Sequence, residues 1–410
     1  MKITLLSTSD VAGGAAIACL RLAAALDAYG HQVRVLVVEK KSAWPQVIEV
    51  SPSRRKADKL LKVFQHVWNK SWLVKSGYDF SANPWWDHNI HSHPAILDAE
   101  VLNIHWINHG YLGLDSLQKV FALGKPIFWH MHDFWAFTGG CHYPGSCSNF
   151  ETGCGDCAAL QNRSANDLSR ELFLRKQALF KLNPPVLVGA SAWLTAEAAK
   201  SALVKSTEAQ TKHIPNPIDL SYYNPSDRAS ARTEMGLSPH KKYLLFAAMN
   251  AGDPRKGFAQ LKRALQSLAD DLAPTTELLV AGKADPEIAA SLTFKTHLLG
   301  GLDQAAMRMA YRAADVFMIP SLEENLPNTI LESLACGTPV AGFDAGGIPE
   351  MVHSGMNGFL APVGNSEALA QAVRACLLLE KDVNTIAKSV YHFEASEIAT
   401  RYTALLLSNR

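Results

Sequence analysis

Residues 311–350 read YRAADVFMIPSLEENLPNTILESLACGTPVAGFDAGGIPE. The run Val316 to Pro320 is short and apolar, the pattern of a buried strand. A polar loop follows, Ser321 to Leu326. Pro327 suits the first position of a helix, because it brings no N–H that needs a partner. Ile330, Leu331 and Leu334 then fall on one helical face, and Gly337 stands where a helix stops. Pro339 to Phe343 is a second apolar run. The segment therefore predicts a strand–loop–helix–strand unit. Glu324 lies in its loop and Glu332 in the second turn of its helix. The N–H groups of Asn328 and Thr329 point out of the helix start between the two acids. Backbone donors at a positive helix end favour phosphate, by about 0.3–1 kcal/mol and up to ~2 when partly buried. An ionised Glu accepts hydrogen bonds from two adjacent hydroxyls, as a ribose offers. The pattern thus suits a phosphorylated sugar, with one Glu on a nucleoside ribose and the other on a second sugar.

The Glu-x7-Glu spacing, set in PSLEENLPNTILESLACGTPV and followed by GGIPE and NGFL, resembles glycosyltransferase family 4. The resemblance implies a GT-B fold: two Rossmann-like, doubly wound α/β domains facing across a cleft. It also implies sugar transfer from a nucleotide-sugar donor with retention of configuration. The loop and helix start, Asn325 to Thr329, then bind the donor. Glu324 orients its sugar and Glu332 takes the ribose.

Length and composition agree with such a chain. Its 410 residues, 48% of them apolar, suffice for two full cores. Thirty-nine basic residues balance 38 acidic ones, so no nucleic-acid signature appears. No apolar run reaches the length of a membrane span. The opening MKITLLSTSDVAGG reads as a first strand and not as a signal peptide, which predicts a cytoplasmic protein.

The first domain is expected over residues 1–218, the second over 219–392, and a final helix crosses back over 393–410. In the first, a strand at Ile3 to Ser7 leads through Gly13 and Gly14 into a helix of small residues. The G-x-G-x-x-G spacing of dinucleotide binders is absent, which argues against NAD. In the resembling family the loop Gly13–Gly14–Ala15 lies beneath the donor phosphates. The run PIFWHMHDFW places His130 and His132 on one side of a strand, and His105 ends the strand before it. His132, followed by Asp133, is similar to the family's cleft histidine near the transferred sugar.

Two further stretches stand out. RRKADKLLKVFQHVWNKSWLVK, residues 54–75, is a basic amphipathic pattern with Trp68 and Trp72 on its apolar side. It suits an anionic membrane surface or a helix packed on its own domain. The insert 138–160 carries Cys141, Cys147, Cys154 and Cys157, spaced C-x5-C-x6-C-x2-C. Four thiolates there can hold a structural zinc, with His142 as a substitute ligand; free thiols and disulfides are the other readings. The run Trp129 to Leu160 resembles a subgroup of family 4 that builds exopolysaccharide, colanic-acid-like and O-antigen chains.

Pro215 to Asp219 reads as a stiff linker. Beyond it, MNAGDPRKGF presents Arg255 and Lys256 at a helix start. The family neutralises the donor diphosphate with an Arg and a Lys in the pattern G-R-x4-K-G. Lys256 and Gly257 match, but Ala251 stands at the Arg position, and Arg255 is the substitute. No Asp-x-Asp triplet occurs, so no catalytic metal is expected. The expectation is a retaining transferase using a UDP- or GDP-sugar and a saccharide or lipid-linked acceptor. It works at the inner membrane face, with His132, Lys256 and Glu324 catalytic. The alternatives are a non-catalytic nucleotide-sugar-binding subunit and an epimerase on the same fold.

Overall fold

A computed structural model describes the chain except for residues 52, 54–59, 61–71, 75–78, 83–86, 284–286, 288, 289 and 410. The chain divides into two compact units, Met1–Pro217 with Ala395–Arg410, and Ile218–Glu394. The basic amphipathic stretch 54–75 falls almost wholly outside the described residues.

Among the described residues the first unit holds seven strands: β1 (Lys2–Leu6), β2 (Gln32–Val37), β3 (Val47–Glu49), β4 (Val101–Ile104), β5 (Ile127–Met131), β6 (Val186–Gly189) and β7 (Gln210–His213). They form one sheet in the order β3-β2-β1-β4-β5-β6-β7, with every pairing parallel. Parallel strands need long crossovers, and helices such as Gly14–Ala28 and Leu168–Leu182 supply them. Strands covered on both faces must be apolar throughout. Accordingly β4, β5 and β6 are buried at every residue.

The last helix, Ala395–Ser408, belongs to this first unit. It buries Ile398, Ala399, Tyr402 and Leu406 in one core with Cys19, Leu22 and Leu26 of the helix Gly14–Ala28. Each large apolar side chain so buried contributes about 1.5–3 kcal/mol. Asn103 on β4 donates to the Tyr402 hydroxyl at 2.9 Å, which gives that buried group its partner.

The second unit holds β8 (Lys242–Asn250), β9 (Thr276–Lys283), β10 (Thr296–Gly300), β11 (Val316–Ile319), β12 (Val340–Phe343) and β13 (Gly358–Ala361). Their order is β10-β9-β8-β11-β12-β13, again all parallel. In both sheets the chain winds outward to one edge, returns to the centre and winds to the other. The order reverses between β1 and β4 and between β8 and β11. Such switch points open a crevice at the carboxyl ends of the strands. Asp315 fixes the second one. Its carboxylate accepts from the Tyr243 N–H at 2.7 Å and from Arg232 at 2.6 Å, joining the start of β11 to β8.

Two helix starts differ from the capping preferences of the sequence, which put Pro327 at a first helical position and Ser366 at an N-cap. Pro327 is the N-cap, with φ −68° and ψ 120°, and the helix runs Asn328–Ala335. Pro327 precedes the first helical residue because its own carbonyl accepts the Ile330 N–H at 3.1 Å. Ser366 is the first residue of the helix Ser366–Leu377 and not its cap. Asn365 caps it, accepting the Ala368 N–H at 3.0 Å.

Candidate active site

At the second switch point the loop after β8 meets the loop after β11. The turn Pro254–Lys256 opens with Asp253, whose carboxylate accepts the Arg255 N–H at 3.0 Å. The Arg255 carbonyl accepts the Leu322 N–H at 2.8 Å, stitching the two loops together. Gly257 follows with φ 68°, ψ 26°, a left-handed conformation that also starts the helix Phe258–Leu272. A Cβ there would lie 1.8 Å from the Pro320 carbonyl oxygen, so only glycine fits.

This turn aims Lys256 at Glu324. The Lys256 ammonium donates to Glu324 Oε1, and the Ser321 hydroxyl donates to the same oxygen at 3.1 Å. Glu324 is buried, whereas the Lys256 side chain keeps 31% of its exposure. The pair therefore holds an ammonium at a fixed place with one side still open to solvent. Asn325, Leu326 and Asn328 are buried beside it.

Glu332 lies on the buried side of its helix, where Tyr311 donates its hydroxyl to Oε2 at 2.9 Å. Burial pushes the Tyr311 phenol well up, and the neighbouring Glu332 charge adds to the shift. The Tyr311 contact was not legible beforehand, because it joins two helices across β11. Arg255 turns to its own loop, its guanidinium donating to Asp253 Oδ2 at 3.0 Å. Ala251 is buried.

In the first unit, Gly13 adopts φ 93° and caps the helix that begins at Gly14, with Ala15 in its first turn. Three histidines gather at the carboxyl ends of β4 and β5. His105 Nδ1 and His132 Nε2 share a hydrogen bond of 2.9 Å. The rings of His105 and His130 stack at 5.0 Å, and His130 lies 5.3 Å from His132. His130 hydrogen-bonds Asn216 at 3.2 Å and stacks on Tyr402 at 6.0 Å. Burial lowers all three rings. His105 falls well below its ordinary value, His130 is pushed down to about 3 and His132 to about 4. Three neutral imidazoles packed together are donors and acceptors, not cations.

His142 behaves differently. Its Nδ1 bonds Asp133 Oδ2 at 2.7 Å and its Nε2 bonds the Ser81 hydroxyl at 2.8 Å. Burial, the largest single effect, would lower it, but the Asp133 charge, the Asp133 hydrogen bond and the Asp79 charge together raise it. Burial would likewise raise Asp133; the His142 charge, that hydrogen bond and the Trp135 N–H hold it low. With both ring nitrogens engaged, His142 is not a spare metal ligand, contrary to the sequence reading.

The stack predicts a pH dependence. Each of the three rings has its folded value depressed below 6.5, so the unfolded chain binds more protons between 6.5 and the folded value. Their contribution is complete above pH 6.5 and is lost as pH falls through the window from 6.5 towards 4. His142, raised, acts oppositely and weakens the fold as pH rises above 6.5. Urea titrations should show stability falling between pH 6.5 and 5, by roughly 1.4 kcal/mol per pH unit for each ring fully engaged. His132→Asn should flatten that slope. An unchanged slope would contradict the assignment of a neutral His132.

The family described as "Glycosyl transferases group 1" matches residues 241–378, the region holding Lys256, Glu324 and Glu332. A phosphatidyl-myo-inositol mannosyltransferase of Mycobacterium leprae is 29% identical over 197 residues, 46% of this chain and 51% of that one. A D-inositol 3-phosphate glycosyltransferase of Rhodococcus opacus is 32% identical over 173 residues, 38% of each chain. The alignments thus span about half or less of those relatives. Among solved structures, sucrose-phosphate synthase from Thermosynechococcus elongatus aligns with a TM-score of 0.66 at 19% identity, over 99% of this chain and 98% of that one. Anabaena HepE in complex with UDP-glucose aligns at 0.63 and 20% identity, over the whole of both chains. These likenesses show the fold: two Rossmann-like parallel-sheet units, as in GT-B glycosyltransferases. No helix among the described residues is long and apolar enough to cross a membrane.

Proposed function

We propose that the chain is a retaining glycosyltransferase of family 4 that moves a sugar from a UDP- or GDP-sugar to a saccharide or lipid-linked acceptor. The observation that carries this is the Lys256–Glu324 pair beside the start of the helix Asn328–Ala335, inside the region matched by group 1 glycosyl transferases. Transfer breaks the bond between the anomeric carbon and the β-phosphate oxygen. Negative charge develops on the departing diphosphate, and stabilising it is the largest catalytic task. Lys256 and the positive helix end supply that stabilisation, with Arg255 as an added donor. Glu324 then orients the sugar, and Glu332 accepts from the ribose. The acceptor oxygen attacks on the face the diphosphate leaves, and its proton passes to the freed phosphate oxygen. His132 is assigned to the sugar by its likeness to the family histidine, and Gly13 to Ala15 to the donor side.

The pathway we assign is bacterial surface polysaccharide synthesis on the cytoplasmic face of the membrane, with residues 54–75 as the membrane contact. The inositol acceptors in the relatives' names make inositol phosphates the first soluble acceptors to try.

Thermal-shift measurements of the full chain against UDP, GDP and their sugar conjugates test the donor. A raised midpoint with one nucleotide series is expected, followed by acceptor-dependent release of that nucleoside diphosphate. No shift with any of them, and no turnover, would overturn the reading. One observation favours a second reading: Ala251 stands where the family carries its Arg. A binding subunit without turnover would show the thermal shift and no product.

A further inference from the structure

The insert that the proposed chemistry does not use has a definite architecture. Cys141, Cys147, Cys154 and Cys157 line one small cavity with Thr138 and Ser169, about 20 Å³ in volume. That is room for a single water-sized occupant. All four are free thiols. We propose that they hold one structural zinc ion, with the buried Lys176 as counter-charge to the anionic zinc–thiolate centre.

Four observations support it. First, the backbone of the Cys154–Cys157 turn is strained: Cys154, Gly155 and Asp156 all lie at positive φ, 59°, 102° and 47°. Two of the three are not glycine, and such a turn persists only where its surroundings over-determine it. Second, the sulfurs receive backbone donors. The Gly139 N–H reaches Cys154 Sγ at 3.2 Å, and the Ala159 N–H bonds Cys157. Donors of this kind stabilise thiolates and fix their orientation.

Third, an outer shell braces the turn. Asp167 caps the helix Leu168–Leu182 and also accepts the Cys157 N–H at 2.7 Å. Ser169 donates to Asp167 at 2.6 Å and accepts the Gly155 N–H at 3.0 Å. Fourth, Lys176 is buried, with its ammonium donating to the carbonyls of Trp135 and Thr138 over the Trp135 ring. Among the described residues no carboxylate forms a direct ion pair with it, and Asp133 acts on it only through its charge. A buried ammonium calls for a compensating negative charge. A zinc with four thiolates carries two negative charges, next to the Thr138 carbonyl that Lys176 already holds.

Among the described residues no three His, Cys, Asp or Glu side chains converge tightly enough to grip an ion as they stand. Cys141 instead shares a hydrogen bond with Cys157. Binding must therefore turn the thiols inward on their χ1 bonds and release their protons. Soft, tetrahedral sulfur ligation selects zinc over hard divalent ions.

The full chain, purified without chelator, should contain about one zinc per molecule by elemental analysis. Cys154→Ser should lower that content at least tenfold. Should that variant fail to fold, wild type stripped of metal and refilled with cobalt(II) gives a second readout, the charge-transfer absorption of cobalt–thiolate bonds. Zinc at trace level with all seven thiols of the chain titratable in denaturant would overturn the proposal. So would two disulfides by mass, one iron in place of zinc, or cobalt without thiolate absorption.

Discussion

Lys256→Ala is expected to cut turnover by about 10²–10³-fold, the scale for removing a group that stabilises charge in the transition state. The ammonium is preplaced by Glu324, which is itself fixed by Ser321 at 3.1 Å. No reorganisation is then needed when charge develops on the leaving diphosphate. The substitution also leaves a buried carboxylate without its cation, so Glu324 would hold the donor sugar less firmly. Initial rates with the donor found by thermal shift would measure the effect. Lys256→Arg should retain part of the rate, since the charge survives but the guanidinium cannot sit as a point donor on Glu324. Wild-type turnover in Lys256→Ala would remove Lys256 from the mechanism.

Gly257→Ala should be among the most damaging small substitutions in the second unit. Its φ of 68° disfavours any residue with a Cβ, at about 1–2 kcal/mol. The added methyl would also stand 1.8 Å from the Pro320 carbonyl oxygen, which is backbone and cannot rotate away. Relief requires moving the end of β11 or the turn that carries Lys256. The expected loss is about 3 kcal/mol or more. A urea titration that resolves the unfolding of the second unit would read it. A midpoint equal to wild type would show that the two loops are not locked together as described. Because the same turn aims Lys256, the variant should lose turnover even under conditions where it stays folded.

Much of the site was legible from local chemistry. Pro254–Lys256 followed by a glycine, and the loop between β11 and its helix, are short-range patterns whose turn residues restrict φ. Gly337, at φ 81°, ends the helix Asn328–Ala335 where the sequence placed its stop. The misreadings were also local and of a different kind. Pro327 and Ser366 each sit one position from where capping rules put them, because a cap is settled by which group bonds the first N–H groups. His142 looked like a ligand from its place among cysteines, but its partners Asp133 and Ser81 lie 9 and 61 residues away.

From the sequence alone came the strand–loop–helix–strand unit around the two acids, the first strand with its glycine turn, and the residues able to carry phosphate chemistry, since these follow from side-chain period and backbone sterics. Strand order did not, because parallel strands pair through crossovers whose partners no local pattern names. Only the tertiary structure put β11 beside β8. That pairing sets Lys256 against Glu324 across 68 residues of chain, and it turns two ordinary loops into one site.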